Sequence, residues 1–521
     1  MRGSSNLFPP SDPERAHRND TIIFERTPME FSNQGKNEIK TSTDENILAI
    51  PEEKLYLVHF ESNDVFFPKN WSNIKKFRVL ISAFSFTLCN ALSSSMFATS
   101  SENIAQYFHV SYEVAVLPTT LYILGFVFGP IFWGPLSEAK GRMKILLPVT
   151  FGYACLSYIV STAKDFQTLT ICRFFCGFLG GASMIIPAAM IGDLIPPKHR
   201  GRVVAPFSMT VCAGPCLGPI IAGFVLKNKN LDWRLNAYLP SFMSTCTFIA
   251  VMLFHDETYE PFALQRKAEI LRENTGNWAI HAPIKKSLDL KIVFTKFIAR
   301  PGAMSKDLSL LLVALYGAFA YGILYLLLSV IPHIFNSNYH FAQGIDEIPY
   351  IAVFIGCLLG GVFCILSDIR YQRILESLNT NKPIAKERLP AMMVGSLFLT
   401  AGLFWMCWTG DFQKKIPWIV PTLACSFVGF GFITIFQSCI NYVVDRYTIY
   451  AASGLTVVTV LRSLFAATFP LFSQKMFDKL GTRYAGTLLG GLSGILIPVP
   501  FLFYKFDEFL RSRSKYSTKE A

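Results

Sequence analysis

The chain has 521 residues, and its 48 Lys and Arg against 36 Asp and Glu give a formal net charge of +12. Hydrophobic residues make up 51% of the sequence and charged residues only 16%, well below the roughly 25% usual in soluble domains. A soluble protein could not cover so much apolar surface. This composition also excludes collagen, a disordered chain and a small secreted disulfide scaffold.

Residues 1–76 differ from the rest because they are polar and show no apolar helical period. They predict a mostly disordered tail, and we expect no signal peptide because no apolar core follows the first basic residue. Twelve apolar runs of about 20 residues follow, each long enough to cross roughly 30 Å of hydrocarbon as a helix. The runs cover residues 77–98, 114–136, 145–163, 168–191, 203–226, 237–254, 308–331, 349–366, 391–408, 418–443, 451–472 and 485–504.

These runs predict the fold class, an all-α polytopic membrane protein, because backbone polar groups in lipid need partners within their own segment. Six runs form an N-terminal bundle over residues 77–254, and six form a C-terminal bundle over residues 308–504. A polar central loop, residues 255–307, joins the bundles, and residues 505–521 form a short tail.

Basic residues are divided unequally between the two sides of the predicted bundles. Loops on the side of the termini hold 21 Lys and Arg, whereas the opposite loops hold nine. Because loops rich in Lys and Arg stay in the cytoplasm, both termini and the central loop are predicted to be cytoplasmic.

The second and eighth runs end in similar residues. Ser137-Glu138 and Ser367-Asp368 each follow a Leu and precede basic residues. This match favours an internal duplication, and paired six-helix bundles are typical of transporters with a site near the membrane midplane.

Three strings in the first half stand out by their spacing of Gly, Arg and Pro. They are Gly134-x-Leu136-x-Glu138-x-x-Gly141-Arg142-x-Lys144, Arg173-x-x-x-Gly177 and Gly214-Pro215-x-x-Gly218-Pro219. These strings resemble the loop signature, the fourth-helix motif and the fifth-helix antiporter motif of the major facilitator superfamily, with Glu138 in place of the commoner Asp.

A second set of strings is more specific. It includes Glu257-Thr258-Tyr259-x-Pro261, Tyr321-Gly322-x-x-Tyr325-Leu326, Glu387-Arg388-Leu389-Pro390 and Asn441-Tyr442-x-x-Asp445. Over about residues 70–510 the ordered set resembles the fungal twelve-helix drug:proton antiporters, a family of multidrug and polyamine transporters. The resemblance implies export in exchange for protons by alternating access of the two halves, and it does not identify the substrate.

The resemblance implies a charged latch on the cytoplasmic side. Gly141 allows a tight turn, and Arg142 needs an acidic partner, for which Asp193 is the candidate. Glu138 is expected to face the positive N-terminus of the eleventh helix, and Asp368 with Arg370 is expected to form a degenerate copy. The alternative is that these residues are ordinary loop charges.

Two further motifs are expected to act inside the membrane. Arg173 could hold an acidic substrate group or sense a proton, and the alternative is that it snorkels to the interface. By the resemblance, Gly214, Pro215 and Gly218 are expected to bend the fifth helix and seal its outer half against the eighth, and the alternative is simple close packing.

Helices 1, 4, 7 and 10 line the cavity in this fold, and their polar and aromatic residues are therefore substrate candidates or packing residues. The candidates are Asn90, Tyr321, Tyr325, Gln437 and Asn441. A mostly apolar pocket with few polar groups suits amphipathic organic molecules, including cations that stack on aromatic rings. No Asp or Glu lies deep in a run, so proton coupling is implied by the resemblance alone, and Asp445 is either a cap before the eleventh helix or structural.

The sequence therefore predicts a monomeric secondary exporter of small organic compounds, in the plasma membrane or alternatively the vacuolar membrane. A polyamine or other organic-cation carrier, a nutrient importer and a non-transporting membrane sensor are alternatives. Scattered His residues argue against an enzyme. All twelve Cys lie in apolar runs without His or carboxylate neighbours, so we expect no metal or cofactor, and we expect no nucleic-acid partner.

Overall fold

Helices of membrane-spanning length dominate the structure, a computed structural model that describes residues 56–61, 64–228, 232–282, 295, 299–378, 383–412, 415–514 and 516. In chain order the first ten are α1 Asn73–Thr99, α2 Tyr112–Lys140, α3 Arg142–Thr162, α4 Phe166–Leu194, α5 Pro197–Lys227, α6 Leu235–Phe254, α7 Leu308–Pro332, α8 Tyr350–Ser377, α9 Leu389–Gly410 and α10 Ile419–Tyr447.

The last two spans are joined end to end. Ala451–Leu496 forms 46 residues of helix, roughly 69 Å, which is more than twice the thickness of a bilayer core. Gly481 interrupts it with φ 78° and ψ 161°, so residues 451–480 form α11, and residues 482–496, continued by Pro498–Lys505, form α12. By length and composition alone the described residues contain 11 candidate spans, because residues 453–505 count as one. Each of the twelve predicted runs overlaps one helix.

Several helices extend beyond the apolar runs. The eighth run is predicted to end at residue 366, but α8 continues to Ser377. Polar side chains support the extension, since Gln372 Nε2 donates to Asp368 Oδ2 at 3.0 Å one turn away. Hydropathy marks the part of a helix that meets lipid, and it does not mark where the helix ends.

The two halves repeat the same packing pattern. In the first half α1 packs on α5, α2 on α4, and α3 on α6. In the second half α7 packs on α11, α8 on α10, and α9 on α12. The pattern agrees with a duplication, whereas the predicted domain boundaries stay a prediction.

The end of the predicted N-terminal tail is folded against the central segment, so the expectation of a tail without structure up to residue 76 is wrong for its last part. Val58 N donates to His281 O at 3.0 Å, and Lys267 Nζ lies 2.5 Å from Asp64 Oδ2. Val58 also packs on Leu264 of the helix Glu260–Thr275. The apolar residues that make this contact are too few to show as a periodic pattern. Residues 1–55 lie outside the described part of the chain.

The C-terminal helix Asp507–Arg513 is anchored by a buried ion pair. Arg446 Nη1 lies 2.8 Å from Asp507 Oδ1, with side-chain exposures of 1% and 6%. We call the end of the bundle that carries this helix, Gly141 and residues 255–282 the terminal face. The opposite end, with the short helix Ser101–Phe108 and residues 339–349, is the far face.

Candidate functional site

Arg173 lies at the centre of the first half. It is 1% exposed, and its Nη1 and Nη2 donate to the hydroxyl and the carbonyl oxygen of Ser93, each at 3.0 Å. Its guanidinium lies between the rings of Phe97 and Tyr122, 3.9 and 4.1 Å from the ring centroids. This burial in α4 does not fit a side chain that snorkels to the interface, and Nε has no hydrogen-bond partner among the described atoms.

Asn90 belongs to a polar network beside this arginine. The hydroxyl of Tyr122 donates to Asn90 Oδ1 at 2.9 Å and lies 3.0 Å from the hydroxyl of Tyr153. Gly177 makes the network possible because a Cβ there would collide with the backbone of Tyr122, so α4 can approach α2 closely. The network is buried between α1, α2, α3 and α4.

In the second half, aromatic residues surround another buried arginine. The guanidinium of Arg462 lies 5.1 Å from the Tyr321 ring and 5.2 Å from the Phe436 ring. Tyr321 and Tyr325 have ring centroids 5.3 Å apart. The hydroxyl of Tyr325 lies 2.9 Å from that of Ser94, which joins α7 to α1 across the two halves.

The other two cavity candidates, Gln437 and Asn441, both lie on α10. Gln437 is buried, with an Oε1 that has no partner among the described atoms, while Asn441 is half-buried. The structure thus brings Tyr321 and Tyr325 together, and Asn90 lies one turn before Ser94 on α1. Gln437 adjoins Phe436, and Asn441 lies one turn closer to the terminal face.

The fifth-helix motif packs against a different helix from the one expected. Gly214 and Gly218 face α1, because a Cβ at these positions would collide with Ala91 and Ser95. Pro215 is buried in the unbroken helix. The expected contact with α8 comes from the other side of α5, where Met209 packs on Gly361. The glycines of the motif therefore allow close packing of α5 on α1, while other residues of α5 pack on α8.

At the terminal face a turn at Gly141 begins the first charged cluster. Gly141 has φ 97°, which favours glycine, and Arg142 starts α3 directly after it. Arg142 Nε lies 3.2 Å from Asp193 Oδ2, as the sequence led us to expect. Arg142 Nη1 also donates to Ser137 Oγ at 2.7 Å. In the same loop signature Gly134 is buried and Glu138 is half-buried on α2.

Glu257 completes this cluster, and sequence reasoning missed its contacts. Its carboxylate accepts the backbone N–H groups of Arg142 and Met143 at 2.9 and 3.2 Å, which caps the N-terminus of α3. A Cβ on Gly141 would collide with this carboxylate. The string that begins at Glu257 contributes to the family resemblance, but nothing in its sequence position indicates that Glu257 contacts the turn at Gly141.

The second half carries an equivalent cluster with a different arginine from the one expected. Arg388, at the start of α9, lies 2.5 Å from Asp368 and 2.7 Å from Asp445. Arg370, the expected partner, is exposed. Tyr371 donates to Asp445 Oδ2 at 3.0 Å, so Asp445 belongs to this cluster.

The clusters in the two halves correspond by position. Arg142 and Arg388 begin the third helix of their halves, and Asp193 and Asp445 lie at the ends of the fourth. Asp368 also reaches across the halves, because a Cβ on Gly201 of α5 would lie 2.8 Å from its Cγ.

At the far face a carboxyl group is buried where the halves meet. Glu347 is 2% exposed, and its Oε2 has no hydrogen-bond partner among the described residues. A Cβ on Gly223 of α5 would lie 2.9 Å from its Cγ, and Thr99 at the end of α1 is adjacent. Burial, followed by the neighbouring charge of Asp346, raises the pKa of Glu347 well above its ordinary value. The sequence shows only two acids in a loop, so this residue was missed.

Comparison with known proteins assigns the chain to a group. The sequence profile of the Major Facilitator Superfamily matches residues 83–470. The Major facilitator superfamily multidrug transporter FLU1 of Candida albicans is 41% identical over 465 residues, which are 89% of this chain and 76% of that protein. The Multidrug transporter TPO1_2 of Candida glabrata is 40% identical over 472 residues, 90% of this chain and 81% of that protein.

Solved structures share the fold. A D-xylose-proton symporter superposes with a TM-score of 0.59 at 16% identity, covering 84% of this chain and 98% of its own. The human organic anion transporter MFSD10 (TETRAN) gives a TM-score of 0.54 at 15% identity, covering 82% and 99%. Identities this low bear on the fold alone.

Proposed function

The chain belongs to the major facilitator superfamily, and on that premise we propose that it is a secondary transporter that exports small organic compounds, including drugs, in exchange for protons. The observation that carries the proposal is the similarity to two fungal multidrug transporters over about nine-tenths of the chain. The internal repeat supports it, since two matched six-helix halves can rock about a central site.

The charged clusters at the terminal face act as the latch of this cycle. Arg142 with Asp193 fixes the end of α2 against α4, and Arg388 with Asp368 and Asp445 does the same in the second half. Contact between Asp368 and the start of α5 holds the halves together, and it breaks when the terminal face opens.

The terminal face is cytoplasmic in this proposal, and the protein works as a monomer in the plasma membrane. The support for the orientation is the excess of Lys and Arg in the loops at that face. Exported compounds therefore enter between the charged clusters and leave through the far face.

Efflux from yeast cells that lack their own drug exporters tests the proposal. Cells expressing the chain are loaded with a panel of anionic, neutral and cationic drugs, and efflux is followed with and without a protonophore at constant ATP. We expect efflux that collapses with the proton gradient. The Lys164→Gln variant, changed at an exposed far-face loop, should match the unmodified chain. Efflux that survives the protonophore contradicts proton antiport, and a panel without any exported compound contradicts export.

A further inference from the structure

In the described helices two arginines lie deep within the apolar runs, whereas the acidic residues lie toward helix ends or beyond those runs. Helices α1, α3, α5, α6, α7, α9 and α12 contain no Asp or Glu. Helices α4, α10 and α11 each contain one acid, and α2 contains two, all within three residues of an end. Helix α8 carries Glu376 at its end and Asp368 beyond its apolar run, where Asp368 pairs with Arg388 in the terminal-face cluster. Arg173, by contrast, lies roughly 10 Å inside α4 and Arg462 roughly 16 Å inside α11.

Only neutral groups surround these two arginines in the described structure. Arg173 has the Ser93 oxygens and two aromatic faces, and Arg462 has the faces of Tyr321 and Phe436. Both retain a buried Nε that has no hydrogen-bond partner among the described atoms. A buried guanidinium without an opposing charge is costly, so a ligand that supplies negative charge gains more here than at the surface.

Aromatic residues connect the two arginines across the halves. Arg462 lies against Tyr321, Tyr321 packs on Tyr325, and the Tyr325 hydroxyl meets Ser94. The next residue, Ser93, accepts from Arg173. These contacts therefore place one buried cation on each half, with aromatic rings between them.

We propose that the compounds this protein transports are amphipathic organic anions, whose carboxylate or similar acidic group is bound by Arg173 and Arg462. The aromatic or aliphatic body of the compound packs against Tyr321 and Phe436. This inference rests on the proposed function and specifies its substrate class. At this site an anionic compound is favoured over a cationic one of the same shape, because the two guanidinium groups repel a cation.

Binding of a matched set of fluorescent ligands to the purified full chain tests the charge preference directly. The ligands are 1-pyrenebutyrate, its primary amide and 1-pyrenebutylamine, which share one aromatic body and differ in charge. We expect the carboxylate to bind at least about tenfold more tightly than the amide, and the amine to bind most weakly. The Arg173→Gln and Arg462→Gln variants should each lose that preference while binding of the amide stays unchanged.

Controls separate charge recognition from damage to the fold. Arg78→Gln changes an exposed arginine at the end of α1 and should keep the full preference. Arg173→Lys and Arg462→Lys keep the positive charge but lack the planar N–H donors of the guanidinium group. These variants should keep part of the preference for the carboxylate over the amide. If the amide or the amine binds as tightly as the carboxylate, or if no ligand of the set binds, the inference is wrong. Binding of the carboxylate without its export would contradict the proposed function and support the charge preference.

Discussion

At the far face, residues 339–349 of the second half meet α1 and α5 of the first, and we call this contact the seam. Raising the pH should open the seam, because Glu347 then ionises. Its carboxyl is buried with an unpartnered Oε2, and burial raises its pKa. The closed seam is therefore most stable below the ordinary Glu pKa of about 4.3, and it loses stability as the pH rises toward the raised value. Asp346, whose pKa is also raised by burial, and Tyr112 and Tyr350 face the same region.

The size of the effect follows from linkage. Each pH unit between the open-state and the closed-state pKa shifts the equilibrium tenfold, about 1.4 kcal/mol. Burying an ionised carboxylate with an unpaired oxygen in the closed seam costs about 1–3 kcal/mol or more relative to the same group in water. Glu347→Gln removes this ionisation and keeps the shape, so the variant should stay closed to a higher pH than the parent, with Asp346 as the remaining buried carboxyl.

Spin labels at two neighbouring far-face positions provide the assay. Gln343 Nε2 donates to Asn103 Oδ1 at 3.3 Å across the seam, so labelled Asn103→Cys and Gln343→Cys report its opening. The exposed Cys155 and Cys246 are first replaced by Ala. Distances measured by electron paramagnetic resonance should lengthen with pH in the parent and stay short to a higher pH in Glu347→Gln.

The control for this measurement is Glu102→Gln, which changes an exposed carboxyl on the same face and should leave the response intact. Distances that stay constant from pH 4 to 8 in the parent would refute the reasoning. The same pH response in the Glu347→Gln variant as in the parent would refute it as well.

Three substitutions test the packing and the charged clusters. Asp193→Asn leaves the 5% exposed Arg142 without its carboxylate and should lower stability by about 1–3 kcal/mol, seen as a lower Tm of the purified protein. Gly218→Val should prevent α5 from packing on α1, so a monodisperse peak in size-exclusion chromatography would contradict that contact. Arg388→Gln should lower the Tm, whereas Arg370→Gln should not, and equal effects would contradict the ion-pair assignment.

Hydropathy and family motifs predicted the fold well, since every apolar run overlaps a helix and Arg142 meets Asp193. The length of an apolar run depends only on the residues of that segment, so it can be determined from the sequence without knowing what the segment packs against. The break between α11 and α12 was also predictable, because two bilayer thicknesses of helix cannot lie in one crossing.

Contacts between distant segments could not be predicted in the same way. Nothing in the loop before α8 indicates that Glu347 is enclosed by α1 and α5, since burial there depends on how the halves meet. Likewise Arg370 lies nearer to Asp368 in sequence than Arg388 does, yet it points to the surface. The contact of Gly214 and Gly218 with α1 could not be predicted for the same reason.

The anchored C-terminal helix has a practical consequence for purification of the protein. Asp507 supplies the carboxylate for the deeply buried Arg446, and Ser514 hydrogen-bonds Asp307 at the start of α7. A shortened version should therefore keep residues 507–514, because cutting the chain before Asp507 removes a counter-charge from the base of α10. Detergent screens on versions cut before Asp507 would report the damage of the cut and not the behaviour of the uncut chain.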